Sequence, residues 1–212
     1  MKTPLHNILL ISRRTRWVGL AVLVAILTVL AIQSRIAPIT QPHQNLPADD
    51  RHRYNNRYFK VVKVVDGDTL DINVRDLIGN KPWTRIRLWG VDTPETKDPR
   101  KPVMYFGPEA SAFAKKQALH KRVKIVLEPY ENTRGKYGRL LAYIYLPNGK
   151  MLNEELLQQG YAYADTRFRH IWRDKFVGME KQARQKKHGL WKAVHPEQWP
   201  QWYRKRHKHR RH

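Results

Sequence analysis

Residues 58–74 read "YFKVVKVVDGDTLDINV", and this stretch sets the start of the fold. Two runs rich in β-branched residues, 58–65 and 69–74, are separated by the letters DGD, and the second run alternates apolar and polar residues. Alternation with a period of two is typical of a half-buried strand, and Asp-Gly between apolar runs favours a hairpin turn. The stretch therefore predicts two antiparallel strands joined by a turn that carries carboxylates.

The rest of the domain continues with short strands and a few helices. Three further strands are predicted at 83–91, 122–130 and 139–146. Helical periodicity and helix-end residues predict helices at 107–120, 151–160 and about 170–188. This order is expected of a small closed barrel. We therefore predict a β-rich α+β fold, a five-stranded barrel of the oligonucleotide-binding (OB) kind capped by about three helices.

The charge balance indicates a polyanionic partner. The chain of 212 residues has 41 Lys and Arg against 18 Asp and Glu, which gives a net charge of +23 at pH 7. Such a field attracts nucleic acid first, and anionic lipid or glycan second. There is no cysteine, which excludes disulfides and thiolate metal sites. A metal must therefore be held by oxygen or imidazole ligands.

The N-terminus predicts a membrane anchor. Residues 1–16 carry four Lys or Arg and no acid, and residues 17–32 carry no charge. This apolar stretch is intermediate in length between the core of a signal peptide and a transmembrane helix of roughly 20 residues. Because no Ala-x-Ala cleavage site follows, we predict a basic cytoplasmic segment and an uncleaved signal anchor over residues 1–33, with a transmembrane helix at 17–33. The following domain would lie outside the cytoplasm, on the periplasmic or extracellular side; secretion after cleavage is the alternative.

Composition divides the remainder into three parts. Residues 34–57 contain three prolines and predict a linker, residues 58–191 form the domain, and residues 192–212 form a basic, aromatic tail. The tail is either a solvated disordered segment or an arm that binds polyanions. The tryptophans of this region are Trp191, Trp199 and Trp202. They either stack on bases or pack the chain end onto the barrel, and we expect packing.

A second acidic stretch gives the DGD turn a chemical meaning. In "RIRLWGVDTPET" (85–96), Asp92 and Glu95 follow a strand that carries Arg87. Each motif alone is also ordinary turn chemistry. If consecutive strands pair, however, Asp68 and Asp92 converge at one end of the sheet. Two carboxylates and a backbone carbonyl suit a hard cation such as Ca²⁺, a further carboxylate could act on water, and arginines match phosphate geometry.

Four motifs in order carry a family resemblance. "DGDT", "RLWGVDTPET", "FGPEASAFAKK" and "KYGRLLAYIY" resemble the staphylococcal nuclease (thermonuclease) family over about residues 58–191. The resemblance implies an OB barrel and Ca²⁺-dependent hydrolysis of DNA and RNA, single- or double-stranded, that leaves a 3′-phosphate and a 5′-hydroxyl. It implies that Asp68, Asp92 and the Thr93 carbonyl hold the metal, with Asp66 just outside.

The resemblance also implies roles around the scissile phosphate. Glu95 matches the residue that orients or deprotonates the attacking water, and Arg87 and Arg139 match the arginines that grip the phosphate. Lys136 and Tyr137 match contacts to a terminal phosphate. Because this polar set is complete, we predict a nuclease. The N-terminal anchor predicted above would tether it to the membrane, and we expect it to be a monomer. The alternative is a non-catalytic nucleic-acid-binding module on the same barrel.

Overall fold

The computed structural model describes residues 48–97 and 102–208. The strands are β1 (Arg57–Asp66), β2 (Thr69–Ile72), β3 (Thr84–Leu88), β4 (Val91–Asp92), β5 (Arg122–Leu127), β6 (Leu140–Tyr145) and β7 (Tyr163–Ala164). The helices are α1 (Ala48–Tyr54), α2 (Gly107–Ala118), α3 (Leu152–Gln158), α4 (Arg173–Gln185) and α5 (Gln201–Lys208), with 3₁₀ turns at Gly189–Lys192 and Pro196–Gln198.

Five of the strands close into a barrel in the order β1-β2-β3-β6-β5. All neighbours are antiparallel except β3 and β6, which run parallel. The predicted five-stranded barrel is confirmed. The alternation seen in the sequence appears as burial: along β3, Thr84, Ile86 and Leu88 are buried, while Arg85 and Arg87 between them are partly exposed. The apolar side chains fill the barrel, and the arginines lie on its outer face.

Three helices lie within the predicted ranges and cover the barrel. Helices α2, α3 and α4 occupy 107–118, 152–158 and 173–185. Their buried faces join the strand side chains in one core that includes Ala114, Leu156 and Phe176. Burying such apolar surface contributes about 25 cal/mol per Å² removed from water. This common core fixes the helices against the barrel.

Helix α1 lies where the sequence predicted a linker through residue 57. Tyr54 is fully buried, and its hydroxyl lies 3.0 Å from Thr84 Oγ1. The carboxylate of Asp50 is buried and receives two hydrogen bonds from Arg134, at 2.7 and 2.8 Å. The linker prediction therefore extended at least ten residues too far. It did so because these partners lie far along the chain, outside the range of a local composition argument.

The C-terminal region is also more ordered than a solvated tail. Trp191, Trp199 and Tyr203 are buried in a second apolar cluster together with Leu190. Trp191 and Trp199 are packed, as expected, but in a cluster with Tyr163 and Ala183 rather than on the barrel core. The disordered reading is wrong for the described residues up to Lys208. Helix α5 is therefore part of the folded unit.

A two-stranded sheet connects this region to the barrel. Strands β4 and β7 pair antiparallel, with Val91 opposite Ala164 and Asp92 opposite Tyr163. The ring of Tyr163 contacts those of Trp191 and Tyr203, with ring centres 5.3 and 4.8 Å away. The position of Asp92 is thereby linked to the packing of the C-terminal cluster.

Two glycines allow the backbone after α3 to touch the backbone after α4. The end of α4 uses Lys187 as its left-handed residue (φ 53°), and the N–H of His188 donates to Ala183 O at 2.9 Å. Gly189, two residues further on, lies against the backbone after α3. The carbonyl of His188, the residue before Gly189, passes close to Gly160. A Cβ on Gly160 would lie 2.2 Å from His188 O.

Gly160→Ala should therefore destabilise the protein by about 3 kcal/mol or more, since it combines an unfavourable positive φ with a backbone clash. Gly149→Ala is the matched control: its φ of 78° resembles the 72° of Gly160, but an added Cβ would meet nothing within 4 Å. We expect that control to cost about 1 kcal/mol. Urea unfolding of both variants measures the difference, and equal losses would contradict the close-contact explanation.

Among residues 48–97 and 102–208, no helix is long and apolar enough to cross a membrane. The predicted anchor, residues 17–33, lies outside the described residues.

Candidate active site

The DGD turn packs against Thr93, the residue that follows β4. A Cβ on Gly67 would lie 2.8 Å from Thr93 Cγ2. Gly67 is not among the glycines with positive φ. Its requirement is therefore space for Thr93 rather than a left-handed conformation. This close approach brings the two acidic stretches, 66–68 and 92–95, to the same end of the barrel.

Asp68 is fixed by three donors at this junction. Its Oδ2 accepts the Thr93 N–H at 2.8 Å and the Thr93 hydroxyl at 3.1 Å, and its Oδ1 accepts the Thr69 hydroxyl at 3.0 Å. The side chain is buried. Hydrogen bonds of this kind orient a carboxylate before any ligand arrives.

Arg87 bridges the two predicted metal carboxylates. Its Nη2 lies 2.6 Å from Asp92 Oδ1 and 3.2 Å from Asp68 Oδ2. Its Nη1 donates to the carbonyls of Leu88 and Val91, at 2.9 and 2.5 Å. Burial disfavours the charge, but the carboxylates of Asp68 and Asp92 outweigh that effect and raise the pKa of Arg87. One guanidinium thus gathers both carboxylates within a few ångströms.

Asp66 supports the next turn rather than facing Arg87. Its Oδ1 accepts the Gly67 N–H at 2.8 Å and the Thr96 hydroxyl at 2.9 Å, and its Oδ2 accepts the Thr96 N–H at 3.3 Å. Burial, together with the charge of Asp68, raises the pKa of Asp66 to about 6. Asp66 therefore braces the segment that carries Glu95.

Glu95 and Arg139 lie at the edge of this cluster. Glu95 is half-buried, and its Oε1 accepts the Lys97 N–H at 2.7 Å. Arg139 is also half-buried, with Nη1 3.4 Å from Thr69 Oγ1. Burial and then the like charge of Arg87 lower the pKa of Arg139, while Asp68 and Glu95 oppose that shift. The two arginines therefore face the same small region.

Lys136 and Tyr137 lie on an exposed turn before β6. Tyr137 is 76% exposed. The Lys136 ammonium and the Arg139 guanidinium lie 5.8 and 5.7 Å from its ring centre. The structure thus brings Asp66, Asp68, Arg87, Asp92, Thr93, Glu95 and Arg139 to one end of the barrel, with the exposed turn next to Arg139. Asp71, the third acid of the opening stretch, instead pairs with Arg85 at 2.7 Å.

Arg134, which was not predicted from the sequence, anchors the exposed turn. Its guanidinium binds Asp50, donates to Asp76 Oδ2 at 2.8 Å and donates to the Gly138 carbonyl at 2.9 Å. Arg134 therefore ties helix α1 and the loop after β2 to the turn that carries Tyr137. Its neighbours in sequence do not mark Arg134, because its partners Asp50 and Asp76 lie 84 and 58 residues away.

A second missed contact involves the chain end. Trp202, in α5, donates its indole N–H to Asp92 Oδ2 at 2.7 Å. The guanidinium of Arg167 lies 4.6 Å from the Trp202 ring centre and 3.5 Å from Asp92 Oδ1. Asp92 is thus contacted from the barrel by Arg87 and from the C-terminal helix by Trp202.

The donor set determines which cation would fit. Within the described part of the chain, no group of three or more His, Cys, Asp or Glu is arranged to hold a metal. The oxygens here are two carboxylates, on Asp68 and Asp92, with the Thr93 backbone adjacent to both. Hard, flexible cations that complete their shells with water and phosphate oxygens suit such a site, whereas zinc sites use nitrogen or sulfur ligands. Ca²⁺ fits these residues.

Comparison with known proteins shows the family to which the chain belongs. The sequence model described as "Staphylococcal nuclease homologue" matches residues 85–193. The chain is 34% identical to a thermonuclease of Staphylococcus hyicus over 174 residues, which cover 82% of this chain and 95% of the relative. The chain belongs to the staphylococcal nuclease family.

Two further relatives cover less of the chain. A thermonuclease of Staphylococcus intermedius is 43% identical over 106 residues, which are 50% of this chain and 58% of that protein. The SPbeta prophage-derived endonuclease YokF of Bacillus subtilis is 34% identical over 134 residues, covering 61% and 42%. Helix α5 lies beyond the residues that the family model matches.

Proposed function

We propose that this protein is a Ca²⁺-dependent nuclease that hydrolyses phosphodiester bonds of DNA and RNA and leaves 3′-phosphate and 5′-hydroxyl ends. The observation that carries the proposal is the convergence of Asp68, Asp92, Arg87, Glu95 and Arg139 at one end of the barrel. The names of the relatives, thermonuclease and endonuclease, support the same activity.

Asp68, Asp92 and the Thr93 carbonyl are the residues that would hold Ca²⁺. When bound, the ion neutralises charge that develops on the phosphate and favours deprotonation of nearby water. The hydrogen bonds from Thr93 and Thr69 to Asp68 serve this role because they hold the carboxylate in place at no cost at the moment of reaction.

Glu95 acts on the attacking water. The water oxygen bonds to phosphorus, its proton passes toward the Glu95 carboxylate, and the bond from phosphorus to the 5′-oxygen breaks. The departing 5′-oxygen takes up a proton from solvent water and becomes the 5′-hydroxyl, while the phosphate stays on the 3′ side. The bond between Glu95 and the Lys97 N–H orients the carboxylate for this transfer.

Arg87 and Arg139 bind the phosphate and stabilise the charge of the transition state. Their like charges repel one another, which is one cause of the lowered pKa of Arg139. A phosphodiester between them relieves that repulsion, and it gains more as negative charge grows on its oxygens. Lys136 and Tyr137 contact a terminal phosphate from the adjoining turn.

The substrate is single- or double-stranded DNA and RNA, bound chiefly through phosphate. The net charge of +23 attracts a polyanion irrespective of sequence. Glycan or lipid binding would use the same charge but has no need for the carboxylate set. We expect cleavage to slow steeply as salt concentration rises.

The proposal includes a tether. Residues 17–33 would anchor a monomeric protein in the membrane with the nuclease domain outside the cytoplasm, because the basic residues precede the apolar stretch. Protease added to spheroplasts should then remove the domain and spare the N-terminus. Protection of the domain would contradict this orientation.

Metal removal tests the catalytic proposal. The full chain, purified in mild detergent, should degrade single-stranded DNA in the presence of Ca²⁺ and lose at least about 100-fold in rate when Ca²⁺ is chelated. End-labelled oligonucleotides should show 3′-phosphate products. Cleavage that persists after chelation would contradict the metal assignment. Binding without cleavage across several metals and pH values would favour the non-catalytic module.

A further inference from the structure

The C-terminal helix reaches the site from outside the shared domain. Helix α5 begins at Gln201, whereas the family model ends at residue 193. Trp202 nevertheless donates its indole N–H to Asp92 Oδ2 at 2.7 Å, across 110 residues of sequence. Neither the composition of the tail nor its positive charge explains this hydrogen bond, because its donor is an uncharged indole N–H.

The helix is held in place independently of Asp92. The hydroxyl of Tyr203 donates to Glu180 Oε1 at 2.5 Å, and the other oxygen of Glu180 accepts the Ala164 N–H at 2.6 Å. Ala164 is the ladder partner of Val91, the residue before Asp92. One buried carboxylate therefore anchors both α5 and the sheet that carries Asp92, which fixes the distance between Trp202 and its acceptor.

The two oxygens of Asp92 are divided between different partners. Oδ1 lies 2.6 Å from Arg87 Nη2, and that same nitrogen lies 3.2 Å from Asp68, so Oδ1 is on the side of the second carboxylate. Oδ2 is taken by Trp202. The carboxylate plane is thus set from both ends: Trp202 holds Oδ2, and the arginines hold Oδ1, the oxygen on the side of Asp68.

The donor on the outer oxygen is neutral, and this matters for a cation site. An indole N–H orients the carboxylate without cancelling its negative charge, whereas a lysine or arginine in its place would compete with a metal for that charge. Two cations lie close to the other oxygen, Oδ1: Arg87 Nη2 at 2.6 Å and Arg167 Nη2 at 3.5 Å, and Arg167 is itself paired with Asp165 at 2.7 and 2.8 Å. Its guanidinium covers the face of the Trp202 ring, 4.6 Å from the ring centre.

We propose that Trp202 is a positioning residue for Asp92, so that the C-terminal helix completes the Ca²⁺ site of the nuclease. This inference rests on the proposed function and deepens it. The indole N–H holds the outer oxygen of Asp92, the inner oxygen is thereby aimed toward Asp68, and Arg167 stacks on the indole to hold the ring at its acceptor.

Trp202→Phe in the full chain tests the inference, because it removes the N–H donor and keeps an aromatic ring beside Tyr203 and Arg167. Trp199→Phe is the matched control: within the described residues, the buried Nε1 of Trp199 has no hydrogen-bond partner. Calorimetric titration with CaCl₂, without substrate, should show about tenfold weaker binding for Trp202→Phe. The control should bind as the wild type does.

A second measurement needs no metal. In the ¹H–¹⁵N spectrum of the Ca²⁺-free protein, the indole resonance that disappears in Trp202→Phe should shift in Asp92→Asn, because its acceptor changes from a charged to a neutral oxygen. The indole resonance assigned through Trp199→Phe should stay in place. The shift of this resonance reports the hydrogen bond itself. If Trp202→Phe proves unstable, replacing Trp202 by benzothienylalanine removes the N–H at nearly constant ring shape and serves to assign the same resonance.

Three results would overturn the inference. If Trp202→Phe and Trp199→Phe bind Ca²⁺ equally, the hydrogen bond does not position the ligand. If Trp202→Phe binds more tightly, the indole obstructs the site instead of completing it. If the wild-type chain binds no Ca²⁺, the proposed function fails and the inference falls with it, whereas the first two results leave Ca²⁺-dependent cleavage by the wild type intact.

Discussion

Glu95→Gln should lower the rate of phosphodiester cleavage by about 10²- to 10⁴-fold while leaving substrate binding nearly unchanged. The amide cannot accept the proton that the attacking water must lose, yet it has almost the same shape as the carboxylate. Its oxygen can still accept the Lys97 N–H that holds Glu95 Oε1 at 2.7 Å. Single-turnover cleavage of labelled single-stranded DNA separates this chemical step from binding.

The control for that experiment is Glu109→Gln, the same change on an exposed residue in the first turn of α2. It removes one negative charge and should alter the rate by less than about twofold, because a surface carboxylate contributes little. The Kd for DNA, measured in Ca²⁺ with the Glu95→Gln protein, should stay near that of the wild type. A rate close to that of the control would exclude Glu95 as the residue that acts on water.

The barrel was predictable because its signals are local. Alternating apolar residues in the strands, the Asp-Gly turn and the residues typical of helix ends each depend on a few neighbours in sequence. The closure of β3 on β6, a parallel pair, depends instead on matching the element order to a known kind of barrel. The core of the fold therefore followed from the sequence before its packing was known.

The ends of the folded unit were not predictable in the same way. Asp50 is explained by Arg134, 84 residues away, and Trp202 by Asp92, 110 residues away. The local composition shows only prolines before β1 and basic residues after α4, and neither indicates these distant partners. Such contacts are specified by tertiary geometry, which is why the predicted linker and tail turned out to contain packed helices.

The glycines show the same limit at smaller scale. The Asp-Gly pair favoured a hairpin turn, and the structure shows that Gly67 leaves space for the side chain of Thr93. At the end of α4, Lys187 takes the left-handed conformation, and Gly189, which is also at positive φ, lets two backbones meet. A glycine in the sequence indicates a position where a side chain is not tolerated. Only the fold shows which group fills the space that this side chain would occupy.

Arg87→Lys should lower the cleavage rate by about 10²- to 10³-fold although the positive charge is retained. The guanidinium makes four contacts in different directions, to Asp68, Asp92 and two backbone carbonyls. An ammonium is a point donor on a flexible stem and cannot reproduce that planar arrangement. It should therefore leave the two carboxylates less well aligned and contact a phosphate through fewer aimed donors.

Arg85→Lys provides the comparison, because Arg85 lies two residues earlier on the same strand and pairs with Asp71 in a more exposed setting, with 35% of its side chain accessible. Asp71 is buried, but neither residue belongs to the set proposed to hold the metal or the phosphate. The rate should therefore stay within about threefold of the wild type. Circular dichroism must show that both variants are folded at the assay temperature.

If Arg87→Lys raises KM but keeps kcat, the guanidinium binds substrate and transition state equally, and its assigned role in stabilising the transition state is wrong. If kcat falls while Ca²⁺ affinity is unchanged, the loss arises at the phosphate. A parallel fall in Ca²⁺ affinity would instead locate the main effect in the alignment of Asp68 and Asp92.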